Sequence, residues 1–407
     1  MKRQDYFDKF GKIDESKLPQ IKRTDLIMLF LGVPFSYLLP LVTLITIVIL
    51  CMRVASFLGP LHVASPILDL LGLLALLLAY AIPVICVVGV IAALNVFTES
   101  FSASIWKRKG HEIGKMLEPS EHSTFIDDIK EVCRGMDVSM PDNIVISFEA
   151  TCYVTQGKVL LREKILTGRT LVIGLLFLKY LTRSEIKSIL AHEMAHFTGK
   201  DTLFGNFVNS LYTNLKGILN GLDKLGNDEE RVGEYFATLP ITLILTTYLN
   251  LYARIEKRFS RDREKRADYI TAIFYGSDTF KHALIKIANI QGPFNTRFER
   301  DFYNAYQDNI LFKNYFLFFD ECIKDAKYDL LSEEDLGNET NAFDEHYSTV
   351  ERLNYLPDIQ VEIQDTSYEN YDPAWEEEIT EDMVRYFLSV MSRIEEKDRQ
   401  ENSKVEN

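Results

Sequence analysis

A chain of 407 residues is long enough for one large catalytic domain with appendages, or for two domains. Its 45 basic and 59 acidic residues leave a net charge of −14, which argues against nucleic acid as a partner because phosphate binding needs a basic face. Cys51, Cys86, Cys133, Cys152 and Cys322 are odd in number and form no C-x-x-C pair, so neither a disulfide framework nor a zinc–thiolate site is implied.

The first predicted element is a charge-free run from Leu26 to Met52. As a helix it would rise about 40 Å, more than the roughly 30 Å of a bilayer's hydrocarbon core. Pro34 and Pro40 predict a kink or a tilt within it. A second charge-free run follows from Leu70 to Leu94, with Pro83 near its middle. The short link from Arg53 to Asp69 makes the pair a transmembrane hairpin at 26–97, with spans at about 26–52 and 68–97. Lys2, Arg3, Lys9, Lys12, Lys17, Lys22 and Arg23 crowd the arm at 1–25, and Lys107, Arg108, Lys109 and Lys115 follow the second span. The link has only Arg53, so the positive-inside rule predicts a cytoplasmic N-terminus and a cytoplasmic catalytic domain. The expected location is the cell (inner) membrane, with the lipid bilayer as a partner.

Beyond the hairpin, His122–Met136 has helical periodicity and Asn143–Phe148 reads as a strand. Cys152–Thr155 and Val159–Arg162 flank Gln156-Gly157-Lys158, which predicts a hairpin. A short β-branched strand at Thr170–Ile173 ends at Gly174. Thr182-Arg183-Ser184-Glu185 matches a capping box and opens a helix running to about Thr198. Phe236–Ala253 is a third apolar stretch, open to three readings: a buried helix, a membrane-grazing helix or a span. A lone span there would put Glu264 across the membrane from His192. A charged helix at Ile255–Tyr275 and further helical stretches at Lys281–Ile290 and Asp301–Lys327 follow. In the acidic segment 358–407 only Thr380–Glu396 looks helical.

The chemistry sits on the capped helix, in His192-Glu193-Met194-Ala195-His196. Two imidazoles four residues apart share a helix face and can reach one ion. Zinc favours such nitrogen ligands, and a catalytic zinc has three protein ligands plus a position for water. Glu193, beside the first histidine, is the candidate general base. A third ligand is offered by Ser260-Arg261-Asp262-Arg263-Glu264-Lys265-Arg266-Ala267-Asp268. There Glu264 would bind one Zn2+ per chain. Asp268, a turn later, would accept a hydrogen bond from a ligand histidine, His192 in the first instance.

Together the two motifs resemble the M48 family of metallopeptidases, whose second motif is S-R-x-x-E-x-x-A-D. The family includes bacterial heat-shock membrane proteases and, more distantly, CaaX prenyl proteases. The resemblance covers roughly residues 120 to 355. It implies a mostly helical α+β fold: the transmembrane hairpin, then a zincin-like catalytic domain with a small β-sheet at 98–357. Asp201 resembles an aspartate that follows the zinc helix in the bacterial branch, although Lys200 separates it from Gly199. The segment His346-Tyr347-Ser348-Thr349-Val350-Glu351-Arg352 keeps the spacing of the family's H-P-x-x-x-x-R but has lost the proline. The resemblance assigns His346 and Arg352 to the substrate carbonyl. It also departs upstream, where Ala150-Thr151-Cys152-Tyr153-Val154 takes the place of an Asn-Ala-Phe-Ala-like segment. The expected activity is endopeptidase cleavage of membrane or membrane-proximal proteins, in protein quality control. A CaaX-type protease and a non-catalytic membrane scaffold that kept a zinc site are the alternatives.

Overall fold

The computed structural model describes residues 3–8, 13–20, 109–118, 123–198, 232–325, 348–362 and 373–405, with scattered positions between 24 and 53 and between 216 and 220. The expected hairpin at 26–97 lies almost wholly outside these residues, and so do Asp201 and His346. Among the described residues no helix is long and apolar enough to cross a membrane.

The described part is mostly helical with two small sheets. One sheet has the order β2-β3-β7-β4, from Gly114–Met116, Asn143–Ser147, Thr170–Gly174 and Cys152–Thr155. β3 and β7 are parallel, Val145 opposite Val172, while β2 and β4 flank them antiparallel. Every residue of β7 is buried, as its run of Leu, Val and Ile between two strands requires. The second sheet has the order β1-β5-β6, from Lys109–Glu112, Lys158–Leu161 and Lys164–Leu166.

The pairing corrects one expectation. β4 and β5 do not form a hairpin around Gly157; they belong to different sheets. The tight hairpin joins β5 to β6 through Arg162-Glu163, with Arg162 in the left-handed conformation at φ 53°. Gly157 adopts no positive φ, so the turn signal it carries is not used.

The helices are α1 (Ser123–Gly135), α2 (Leu175–Tyr180), α3 (Arg183–Ala195), α4 (Val232–Tyr275), α5 (Ser277–Gln307), α6 (Tyr315–Asp325), α7 (Thr349–Tyr355) and α8 (Ala374–Val405). Gly174 joins β7 to α2 where the chain passes tightly under β4; a Cβ there would lie 2.3 Å from the Glu149 carbonyl. α4 is one unbroken helix of 44 residues, so the third apolar stretch and the charged motif share an axis. Gly276, at φ 81°, turns α4 into α5, and Ser277 there is tied to Ile359 by N–H···O bonds in both directions (2.8 and 3.1 Å).

The core is rich in aromatic rings. Phe148 of the β3 edge packs against Phe294 at 5.3 Å and Tyr315 at 5.7 Å, and Phe294 meets Phe319 edge-on at 5.2 Å. This explains why α5 and α6 carry so many rings. The acidic segment is not a detached appendage over its helical part. Trp375, Ile379 and Met383 of α8 are buried in the same core. Three of its acids reach bases elsewhere in the domain: Glu376 with Lys179 (2.7 Å), Glu378 with Lys115 (3.0 Å) and Asp382 with Arg162 (2.6 Å).

Candidate metal centre

α3 carries the first motif, and its start is held three ways. Glu185 N–H donates to Thr182 Oγ1 (3.3 Å) and Thr182 N–H to Glu185 Oε2 (2.8 Å), which completes the capping box. Lys286 of α5 holds the same Glu185 at 2.7 Å. Arg183 forks onto the buried Asp128 of α1 at 2.7 and 2.6 Å. A helix clamped at its N-terminus presents its C-terminal turn, with His192 and His196, in a defined place.

α4 crosses α3 and brings Glu264 between the two histidines. His192 Nε2 lies 3.2 Å from Glu264 Oε2, and His196 Nε2 lies 3.3 Å from Glu264 Oε1. One ligand atom from each residue falls within 4.8 Å of the others. Zinc holds nitrogen and oxygen at about 2.0–2.1 Å, so neighbouring ligands of a tetrahedral site stand about 3.3 Å apart. The two separations, one to each Glu264 oxygen, are close to that edge. The donor set and its spacing therefore fit zinc.

Behind His192 stands Asp268, with none of its surface exposed. His192 Nδ1 is 2.8 Å from Asp268 Oδ1, although the ring N–H is not aligned on that oxygen. Arg352 of α7 reaches the same carboxylate with Nε (2.9 Å) and Nη2 (2.6 Å). Tyr355 of α7 donates its hydroxyl to Oδ2. Phe280 of α5 stacks on the His192 ring at 5.8 Å. The expectation for Arg352 was a position facing the substrate carbonyl; the guanidinium is found forked onto Asp268.

The electrostatics follow from burial and these partners. Burial alone would lower His192, but the close Asp268 and Glu264 carboxylates outweigh it and hold the ring up at about 10. For His196 burial outweighs the opposing Glu264 charge, with the His192 charge adding to it, and pulls the ring down to about 3. Burial would raise Asp268, yet the Arg352 and His192 charges hold it down at about 2. Histidine binds a metal ion in its neutral form, so binding of an ion here should strengthen as pH rises.

Glu193 is half-buried on α3. Cys152 on β4 has its thiol pushed well up by burial and then by the Glu193 carboxylate, so the two side chains lie within each other's field. β4 is thus the strand next to the candidate base. Motif spacing pointed to His192, Glu193, His196, Glu264 and Asp268. Phe280 and Tyr355 carried no such signal, because each reaches the centre only through tertiary contact.

The sequence model of Peptidase family M48 matches residues 130–360, more than half of the chain. Proteins named Protease HtpX homolog from Neisseria meningitidis serogroups B and C and from Neisseria gonorrhoeae are 35% identical to it over 115 residues. That match covers 27% of this chain and 40% of each relative. No solved structure matches.

Proposed function

Because this chain belongs to peptidase family M48, we propose that it is a zinc-dependent endopeptidase, anchored in a membrane and acting on membrane or membrane-proximal proteins in protein quality control. The observation that carries the reading is the triangle of His192, His196 and Glu264, spaced as zinc ligands are. Zinc, when bound there, supplies Lewis-acid chemistry that acidifies a water and polarises the scissile carbonyl. Glu193 takes the proton from the attacking water and passes it to the leaving amine nitrogen. Asp268 engages His192 at Nδ1 and leaves Nε2 free to face the ligand cluster. His346, assigned by the family spacing, donates to the carbonyl oxygen as charge develops. Arg352 already has two nitrogens on Asp268, so we assign it to that carboxylate. Asp201 is assigned to support of the ligand shell from beyond α3. The outer edge of β4 pairs with no strand among the described residues, and an extended substrate can add to it there.

Membrane anchoring rests on the two charge-free runs. It is supported by Val42, Ile45, Ile49 and Met52, apolar helical residues that are 49–64% exposed. Thr46 in that segment donates its hydroxyl to the Val42 carbonyl at 2.8 Å, which satisfies it without water. Leu243 and Leu251 of α4 are exposed in the same way, and Thr247 back-bonds to Leu243. This leaves the third apolar stretch able to graze or enter lipid. The proposed organisation is a basic arm at 1–25, a hairpin at 26–97 and a cytoplasmic peptidase domain from 98, with α8 of the acidic segment 358–407 packed onto that domain.

The test compares wild type with Glu193→Gln. Wild type should hold about one zinc per chain and cleave casein. The variant should keep the zinc and lose about 100-fold or more in activity, the scale general-base catalysis supplies. A wild type without zinc, or an active Glu193→Gln, overturns the assignment. Glu264→Ala should drop bound zinc well below one equivalent.

A further inference from the structure

We propose that Tyr355 is a positioning residue of the metal centre: its hydroxyl, acting through the buried Asp268 carboxylate, sets the orientation of His192 and with it the affinity of the site for zinc. The inference rests on the zinc reading given above.

An ionised carboxylate offers about four acceptor positions, and a buried one needs them filled. Asp268 is fully buried, and four donor contacts meet it. Oδ1 faces His192 Nδ1 (2.8 Å) and Arg352 Nη2 (2.6 Å). Oδ2 receives Arg352 Nε (2.9 Å) and the Tyr355 hydroxyl. Three of the four are close to alignment; the exception is His192, whose N–H is not directed at Oδ1. The plane of the carboxylate is therefore set by the donors from α7, and its 2.8 Å contact with Nδ1 is the link by which that plane bears on the imidazole. Without the Tyr355 hydroxyl, Oδ2 keeps a single donor. The carboxylate would then turn to recover a second, and Oδ1 would move away from His192 Nδ1.

Tyr355 is well seated to hold that position. Arg352 and Tyr355 are three residues apart, so one face of α7 presents both donors. Ser348 caps the helix by accepting from Glu351 N–H at 3.3 Å. The phenol ring lies over α4 between two residues a turn apart: Tyr269 stacks on it at 6.4 Å, and the Lys265 ammonium is 4.9 Å from its centroid. These contacts belong to the ring and not to the hydroxyl. Phenylalanine at 355 should keep the packing and lose only the donor. Burial and the Asp268 charge also keep the phenol protonated far above its ordinary range, so it donates at any working pH.

The experiment uses the full chain purified in detergent, as wild type, Tyr355→Phe, Asp268→Asn and the double variant. Zinc affinity is read by competition with a chromophoric chelator, and ligand geometry by the visible absorption of the cobalt-substituted protein. Tyr355→Phe should bind zinc about tenfold more weakly, the lower end of what outer-shell partners of a ligand histidine contribute. Its cobalt spectrum should shift, and kcat should fall with KM little changed. In the Asp268→Asn background the substitution should have no further effect. Wild-type zinc affinity and spectrum in Tyr355→Phe overturn the inference. So does an equal loss in the Asp268→Asn background, and so does a loss of helical circular dichroism, which would make the residue a packing element only. A wild type that binds no zinc overturns the zinc reading itself, whereas zinc-bound wild type with an indifferent Tyr355→Phe overturns only this step.

Discussion

Asp268 concentrates the electrostatics of the centre in one carboxylate. Its folded-state value is about 2 against an ordinary 3.8, because Arg352 and His192 favour the anion more than burial disfavours it. The direction fixes the sign of its effect on stability. The folded chain releases this proton more readily than the unfolded chain, so the contribution is complete above about pH 4 and is lost as pH falls through about 2. Asp268→Asn should therefore flatten the acid limb of a stability–pH profile between about pH 4 and 2, measured on metal-free protein by denaturant titration. An unchanged limb would mean the carboxylate gains nothing from its partners. The two histidines, whose surroundings push one up and the other down, could not be told apart by spacing alone.

At the scale of elements, the signals that read correctly were local. Thr182 and Glu185 form the capping box that their spacing predicts, and α1, β3 and β7 lie within a residue or two of expectation. The readings that changed depended on partners. Gly157 looks like a turn residue, but the β4 backbone finds a better ladder on β7, Tyr153 opposite Val172. The acidic segment carries Glu376-Glu377-Glu378, yet Trp375, Ile379 and Met383 recur every four residues along α8 as an apolar stripe, with Val384 beside the last. Ile379 has no exposed surface. Ile379→Ala should cost about 3 kcal/mol in thermal or denaturant unfolding, within the range of core truncations. A helix merely tethered to the domain would lose nothing measurable.

For the whole molecule the proposed anchoring raises the question of how the peptidase-family domain stands relative to a membrane. If the charge-free runs form the proposed hairpin, the basic residues before and after it predict that both its outer ends are cytoplasmic. In a chain whose native cysteines are replaced, a cysteine at Ser56 should react with an impermeant maleimide added outside intact cells. One at Ser120 should react only after lysis. Labelling of Ser120 in intact cells would reverse the orientation. The unbroken α4 bears on the same question, because it joins the apolar stretch at 236–253 rigidly to Glu264. At about 1.5 Å per residue, Glu264 stands roughly 16 Å along the axis from Ala253.

The sequence by itself determined the features that repeat with the backbone's own period. One helical turn brings His192 and His196 to one face, one turn separates Glu264 from Asp268, and the long charge-free runs are legible by length alone. Tertiary structure decided the rest. Glu264 meets both histidines because α4 crosses α3; Arg352 turns to Asp268 because a buried carboxylate needs donors; Tyr355 joins them because the end of α7 reaches Lys265 and Tyr269 of α4. β4 takes its place beside Glu193 for the same kind of reason, a ladder with β7 formed across intervening chain. Contacts between residues distant in sequence depend on which surfaces are left to bury and which polar groups are left to satisfy, and no local spacing records that.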